Sequence, residues 1–197
     1  MGLREAKKER TREALIEAAL RLFEEKGYER TTVAQIAAAA QLSTRTFFLH
    51  FPAKEDVLLA DSAPRVELGV AALAERRPGE GPARALLRAI GAMVADASGK
   101  DLPSGVAAAR TRLVATEPAV QARLLQRMAT AQTALAEALH RAYPDELDAV
   151  SAAAVTGAAI GAVSSAAVAA LRQGQTPEQV RAAMLRAPAT AAAHLTE

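Results

Sequence analysis

Residues 32–51 bring hydroxyl, guanidinium and imidazole groups together in one short stretch of the chain. Ser43 is followed at once by Thr44, Arg45 and Thr46, and His50 comes four residues after Thr46. An arginine can bind guanine through both O6 and N7, whereas threonine and histidine can donate to phosphates or contact thymine methyl groups. On an exposed helix, this set of side chains predicts contact with DNA.

Two short helices must position these groups. Thr32 and Gln35 have the spacing of a capping box, which predicts a helix that begins at Val33. Ser43 is a good N-cap for a further helix that runs to about Phe51, before Pro52. We expect the buried side of this pair to consist of apolar residues at helical spacing: Val33, Ile36, Ala37, Ala40, Leu42, Phe47 and Phe51. Thr44, Arg45 and His50 then face outward, which is the arrangement of a helix-turn-helix, although any helical hairpin carries polar residues on its outer face.

A long amphipathic helix is predicted before this pair, over residues 4–26. Its apolar stripe consists of Leu15, Ala18, Ala19, Leu22 and Phe23, and Gly27 ends it. Residues 1–54 contain 10 Lys and Arg against 7 Asp and Glu, so this part of the chain carries a net charge of +3. A basic end of this kind indicates nucleic acid or an anionic membrane as a partner, but a solvated helix face explains the charge equally well.

Residues 31–58, TTVAQIAAAAQLSTRTFFLHFPAKEDVL, resemble the DNA-binding signature of the TetR family of bacterial transcriptional regulators, and residues 18–28 before them are also similar to that family. The resemblance implies that Thr32 touches a phosphate and that Thr44, Arg45 and Thr46 lie at the major groove. It also implies that Lys54 holds a phosphate at the start of a fourth helix. The full set that we predict to contact DNA is Thr32, Ser43, Thr44, Arg45, Thr46, Phe48, His50, Lys54, Lys7 and Lys8.

Two residues depart from the family pattern. Gln41 stands where the family usually has glycine in the turn, so this position must either adopt a positive φ at some cost or form another turn. Phe48 occupies a position often held by tyrosine, and it lacks the hydroxyl that would bond a phosphate.

The composition predicts an all-α protein. Alanine accounts for 51 of the 197 residues, whereas aromatic residues amount to only 3%. The chain has no cysteine, and His50, His140 and His194 are far apart, so we expect no metal and no cofactor. No arrangement of nucleophile, base or Gly-rich phosphate loop supports an enzyme.

The organisation that we predict is an N-terminal three-helix DNA-binding domain, residues 1–53, and a helical ligand-binding and dimerisation domain, residues 54–197. Loops are predicted at residues 77–82 and 98–103. The later helices are predicted from Pro118 to before Pro144, over 146–173, and over 177–195 with a kink or an early end at Pro188.

Small residues on the helix 146–173 suggest a homodimer. Gly157, Gly161 and Ser165 recur every four residues, with Val168 nearby, so another helix could approach closely. Close packing inside one subunit is the alternative, and the family resemblance favours a four-helix interface between two subunits that bind a pseudo-palindromic operator. Ala149–Leu171 has no charge and is long enough to span a bilayer, but its many small residues favour a buried helix in a cytoplasmic protein.

Residues 110–127 faintly resemble the effector domain of regulators that bind fatty acyl-CoA. The ligand-binding residues that we predict on this basis are Met93, Arg110, Leu113, Arg123, Arg127 and Met128. Ordinary surface charges and methionines that fill the core are the alternative interpretation. Together these patterns predict a homodimeric, ligand-responsive transcriptional regulator that acts as a repressor; an activator, a small helical enzyme and a membrane-surface protein are the alternatives.

Overall fold

The computed structural model describes residues 2–195, apart from the side chains of Leu3, Glu5, His194 and Leu195. His194, which we predicted not to ligate a metal, therefore has its side chain outside the described residues. Every regular element within this range is helical, which confirms the all-α prediction. In chain order the elements are α1 Leu3–Lys26, α2 Val33–Ala39, α3 Thr44–His50, a 3₁₀ helix Lys54–Leu59, α4 Ser62–Ala74, α5 Pro82–Lys100, α6 Val106–Thr116, α7 Pro118–Ala142, α8 Ala149–Arg172 and α9 Pro177–Leu195.

The chain divides into two compact units, and neither is continuous in sequence. The first unit combines the residues up to Ala60 with Ser104–Leu124, and the second combines Asp61–Pro103 with the residues from Leu125 onward. The functional boundary between residues 53 and 54 stays a prediction.

The core of the first unit contains the apolar stripe predicted for α1. All five of its members are buried, as are Ile36 of α2 and Phe47 of α3. The same cluster includes side chains from the later segment of the chain: Ala109, Leu113 and Val120. The helix-turn-helix residues thus share one core with α6 and the first turn of α7.

The turn between α2 and α3 has a positive φ at Gln41, which is one of the two conformations that we predicted for it. Gln41 has a φ of 58°, so it is a non-glycine residue in the left-handed region. This conformation lets the Leu42 amide donate to the Ala37 carbonyl at 2.8 Å, which closes the end of α2. Gln41 has the backbone geometry of the usual glycine, but its Cβ makes this left-handed conformation sterically unfavourable.

The core of the second unit is built mainly by α4, α5, α7 and α8. Its largest buried side chains include Leu73, Ile90, Leu135, Leu139 and Tyr143. A buried charge cluster also lies here, because Arg65 donates to Asp101 at 2.8 Å and to Asp96 at 3.1 Å. Burial lowers the pKa of the Arg65 guanidinium, but the hydrogen bonds that it donates to Asp101 and Asp96 and the negative charges of these carboxylates outweigh burial, so the net shift is upward.

Several predicted helix boundaries were wrong. The loop predicted over residues 98–103 begins only after Lys100, because the Lys100 ammonium pairs with Asp96 one turn earlier and Ser98 bonds the Val94 carbonyl. The fourth helix predicted from Lys54 is a short 3₁₀ helix, and α4 begins at Ser62. Asp56–Leu59 are all buried, so this segment is enclosed and does not present one face to a core.

Two predictions for the C-terminal helices also need correction. The helix predicted from residue 146 begins at Ala149, because the Asp148 side chain accepts a bond from the Ser151 amide at 2.7 Å and caps it. Pro188 does not shorten α9, which continues through it to Leu195.

The strained turn generates a prediction about stability. We expect Gln41→Gly to raise the free energy of unfolding by about 0.5–1 kcal/mol, since relief of about 1–2 kcal/mol of left-handed strain exceeds the entropy that glycine loses on folding. Urea titration followed by circular dichroism measures the change. Gly27→Ala is the matched control: Gly27 has a φ of 84° and open space where a Cβ would lie, so backbone strain alone should lower stability by about 1 kcal/mol. A Gln41→Gly variant no more stable than the parent chain would contradict the argument.

Candidate nucleic-acid interface

Side-chain caps fix the starts of both helices of the predicted helix-turn-helix. Thr32 Oγ1 accepts from the Gln35 amide at 3.2 Å, and Gln35 Oε1 accepts from the Thr32 amide at 3.0 Å, which confirms the capping box. Ser43 Oγ accepts from the Thr46 amide at 3.0 Å and lies 2.8 Å from Thr46 Oγ1. These bonds orient the hydroxyls at the exposed ends of α2 and α3.

The two faces of α3 differ sharply in composition. Phe47 is fully buried, and its ring lies 5.6 Å from that of Phe51, which is also buried. Thr44 and Arg45 are exposed, as predicted. Phe48 is 56% exposed, and its ring meets Phe47 edge-on.

Leu49 is also on the outer face of α3, and it is 73% exposed. Our sequence analysis missed it, because an apolar residue within an apolar run was not examined as a contact residue. The helical period contained the signal, since Leu49 is two positions from both Phe47 and Phe51 and so lies about 200° from each on the helix.

His50 is half-buried at the end of α3, and its Nδ1 has no hydrogen-bond partner among the described residues. Burial lowers the pKa of its imidazole, and the positive charges of Lys8 and Arg12 lower it further. These interactions place His50 in the field of basic residues on α1. Lys7 and Lys8 are themselves exposed.

Lys54 makes internal contacts that the sequence did not predict. Its ammonium donates to the Tyr28 carbonyl at 2.9 Å and to the Thr31 carbonyl at 3.1 Å, and it lies 3.9 Å from the centre of the Tyr28 ring. Beside it, the Tyr28 hydroxyl donates to the Glu55 carboxylate, and burial together with this bond raises the pKa of the phenol. Lys54 therefore ties the 3₁₀ helix to the segment before α2, and these bonds use two of the three N–H donors of its ammonium.

Three residues of the predicted ligand set have structural contacts within the first unit. Arg123 makes a paired bond to the buried Asp56, with both distances 2.8 Å. Arg110 donates to the Leu58 carbonyl at 3.1 Å, and Leu113 is buried in the core. Both arginines hold the 3₁₀ helix, a role that spacing along the sequence could not reveal.

The other three residues of that set belong to the second unit. Met93 packs in its core, so closely that a Cβ on Gly69 would lie 2.6 Å from the Met93 sulfur. Arg127 and Met128 are half-buried on α7. The packing of Met93 favours its interpretation as a residue that fills the core. Within residues 2–195, no three acidic or histidine side chains form a group that could hold a metal.

The small-residue face of α8 is open. Gly157 and Gly161 are half-buried, and a Cβ added to either would meet nothing within 4 Å, so both positions have space for a side chain. Val150, which is 79% exposed, lies on the same helix. By length and composition, α8 is the one helix in the described part of the chain that could cross a membrane.

A sequence model of the tetR family of bacterial regulatory proteins matches residues 15–60, the segment that contains α2, α3 and their caps. Over 129 residues, the chain is 42% identical to the HTH-type transcriptional regulator TcmR of Streptomyces glaucescens. Over residues 15–60, the chain is similar to the tetR family of regulators. The alignment with TcmR covers 64% of this chain and 57% of TcmR, so the chain spans little more than half the length of that relative. The matching family and TcmR are both described as regulators.

Two solved structures share the fold of this chain. The SmeT–triclosan complex has a TM-score of 0.62 at 18% identity, over 92% of this chain and 90% of SmeT. The Thermus thermophilus repressor FadR in complex with lauroyl-CoA has a TM-score of 0.52 at 22% identity, over 91% of both chains. These likenesses agree with the all-helical fold.

The internal contacts of Lys54 generate a prediction about stability. We expect Lys54→Met to lower the free energy of unfolding by about 1–3 kcal/mol, since it removes two hydrogen bonds from a charged donor and keeps the aliphatic stem. Thermal and urea unfolding measure the loss, and Lys26→Met, at an exposed lysine on α1, is the control. Equal stability of the two variants would refute the internal role. If the third N–H donor of Lys54 contacts a phosphate, Lys54→Met should also reduce the slope of the logarithm of DNA affinity against the logarithm of salt concentration by about one.

Proposed function

We propose that the chain is a cytoplasmic, homodimeric DNA-binding regulator of transcription, a repressor that a small apolar or amphipathic ligand releases from a pseudo-palindromic operator. The observation that carries this proposal is the outer face of α3, where Thr44 and Arg45 are exposed on a capped helix opposite the buried Phe47. A helix held from behind by its aromatic residues can present its first turn to base edges.

The charges around this face suit a polyanion. Arg4, Lys7, Lys8 and Arg10 are exposed on α1, and the electrostatic effect of Lys8 reaches His50 at the end of α3. Such cations neutralise phosphates without reading sequence, whereas the guanidinium of Arg45 can bond both acceptors of a guanine. In this proposal the α1 cations supply affinity and α3 supplies specificity.

The open face of α8 supports dimerisation. A Cβ on Gly157 or Gly161 would meet nothing within 4 Å, and the helix carries no charge between Ala149 and Leu171. An uncharged, small-residue helix left open to water is suited to pack against a copy of itself, and a twofold dimer places two recognition helices about 34–36 Å apart or at a multiple of that distance.

Two observations support the class of effector: the ligands of the solved relatives, and the internal hydrogen bonds of Arg110 and Arg123. Lauroyl-CoA and triclosan, the ligands of the two solved relatives, both have large apolar parts. Arg110 and Arg123 already bond groups of the chain itself, so they do not support an anchor for a phosphate-bearing ligand. We therefore propose an apolar or amphipathic effector, without a requirement for a phosphate.

The experiment that tests the proposal is fluorescence anisotropy at ~150 mM salt, with the DNA upstream of the chain's own gene and with a scrambled duplex. We expect nanomolar binding to the first and a preference of about 10³-fold or more. Titration of apolar ligands into the complex should then release the labelled DNA. Absence of binding to any duplex at low salt would overturn the proposal.

Arg45→Ala tests the role of α3 in reading bases. We expect a loss of about 1–3 kcal/mol on the operator and relaxed preference at one base pair, because a bidentate contact to guanine is removed. Binding to operators with each base pair substituted in turn measures this. Lys7→Ala is the matched control, and it should weaken all sequences alike. Equal losses on operator and scrambled DNA for Arg45→Ala would exclude base reading by this residue.

Gly161→Leu tests the open face of α8. We expect a folded monomer, since the chain itself leaves space at this Cβ while a second copy would be pushed away. Sedimentation and circular dichroism measure mass and helicity. Gly91→Leu, at a glycine of α5 that also has open space, should leave the dimer intact. A dimeric Gly161→Leu variant would remove α8 from the interface.

A further inference from the structure

The outer face of α3 carries two large apolar side chains that the proposed polar contacts do not use. Leu49 is 73% exposed and Phe48 is 56% exposed, and they are adjacent in sequence. Single exposed apolar residues are common on protein surfaces. Two neighbouring ones in the middle of a face that carries Thr44 and Arg45 require a chemical partner.

Leu49 holds the central position on this face. It lies about 200° around the helix from the buried Phe47, which agrees with its large exposure. Arg45 is one turn earlier and only about 40° away in angle, so the two side chains form one ridge. Phe48 flanks this ridge, with its ring held edge-on by Phe47 at 5.6 Å between centroids.

The spacing along this ridge matches neighbouring bases. Four residues of helix advance by about 6 Å, whereas successive base pairs are about 3.4 Å apart. A guanine bound by Arg45 would therefore lie one or two base-pair steps from whatever Leu49 contacts.

The chemistry of the major groove leaves one apolar partner for Leu49. Base edges there present hydrogen-bond donors and acceptors, and the C5-methyl group of thymine is the apolar exception. We propose that Leu49, flanked by Phe48, is a specificity-determining residue that recognises the C5-methyl group of a thymine within two base-pair steps of the guanine contacted by Arg45. This inference rests on the proposed DNA-binding function.

The surrounding charge favours DNA over an apolar protein partner. Exposed lysines, among them Lys8, lie on α1, and the electrostatic effect of Lys8 reaches His50 on the same helix as Leu49. A duplex provides anionic phosphates and thymine methyl groups together, so it matches both features of this surface.

The test uses an operator selected from random duplexes by the full-length chain. Each thymine of a half-site is replaced in turn by deoxyuridine, which removes the methyl group and leaves every hydrogen-bonding group in place. For the parent chain we expect one substitution within two steps of the Arg45 guanine to weaken binding about fourfold, the effect of losing contact with one buried methyl group. Leu49→Ala should bind the unsubstituted operator about fourfold more weakly and should not distinguish thymine from deoxyuridine there.

Leu125→Ala is the matched control, because Leu125 is an exposed leucine on α7, at 59%. It should discriminate thymine from deoxyuridine as the parent chain does. An operator without thymine at these positions, or a Leu49→Ala variant that retains the parent's discrimination, would overturn the inference and leave the proposed function standing. If the parent chain selected no sequence at all, the proposed function itself would fail.

Discussion

The burial of Phe47 is the constraint on which the DNA-binding surface depends. α3 has only seven residues, too few to be stable alone, so tertiary packing must hold it. Phe47 is fully enclosed and contacts the rings of both Phe48 and Phe51, so this one side chain fixes the rotation of the helix about its axis. That rotation decides which side chains face outward, and it sets the positions of Thr44, Arg45 and Leu49 together.

Cations hold the segment after α3 in place. Lys54 bonds two carbonyls before α2, Arg110 bonds the Leu58 carbonyl, and Arg123 pairs with Asp56. Asp56 is only 3% exposed, so its negative charge needs the guanidinium of Arg123 beside it. The hydrogen bonds that Arg123 donates to Asp56 also raise the pKa of the Arg123 guanidinium, against the opposing effect of burial. From the sequence alone, these positive charges suit an anionic ligand. In the structure they stabilise the first unit through internal bonds.

Sequence patterns predicted the features that depend on local interactions. The capping box at Thr32, the cap at Ser43, the end of α1 at Gly27 and the inward faces of α1 and α3 all follow from residues within one or two turns of each other. The positive φ of Gln41 was one of the two conformations that we predicted, because the geometry of a tight turn also depends on neighbouring residues. Partners far apart in the chain were not predictable: 67 residues separate Arg123 from Asp56, and no periodic pattern connects them. Leu49 was missed because its exposure depends on the packing of Phe47 and not on its own polarity.

The discontinuity of the first unit has a consequence for how the protein is made. Its core needs Ala109, Leu113 and Val120, and its buried carboxylate needs Arg123. On the ribosome, the first sixty residues can form helices but lack part of their interior until residue 124 has emerged. The unit therefore completes its fold only after the whole of the intervening segment, Asp61–Pro103, has been synthesised. A chimera that exchanges the recognition helix between relatives must for the same reason transfer both stretches of chain, because a cut after Ala60 would separate Asp56 from its counter-charge.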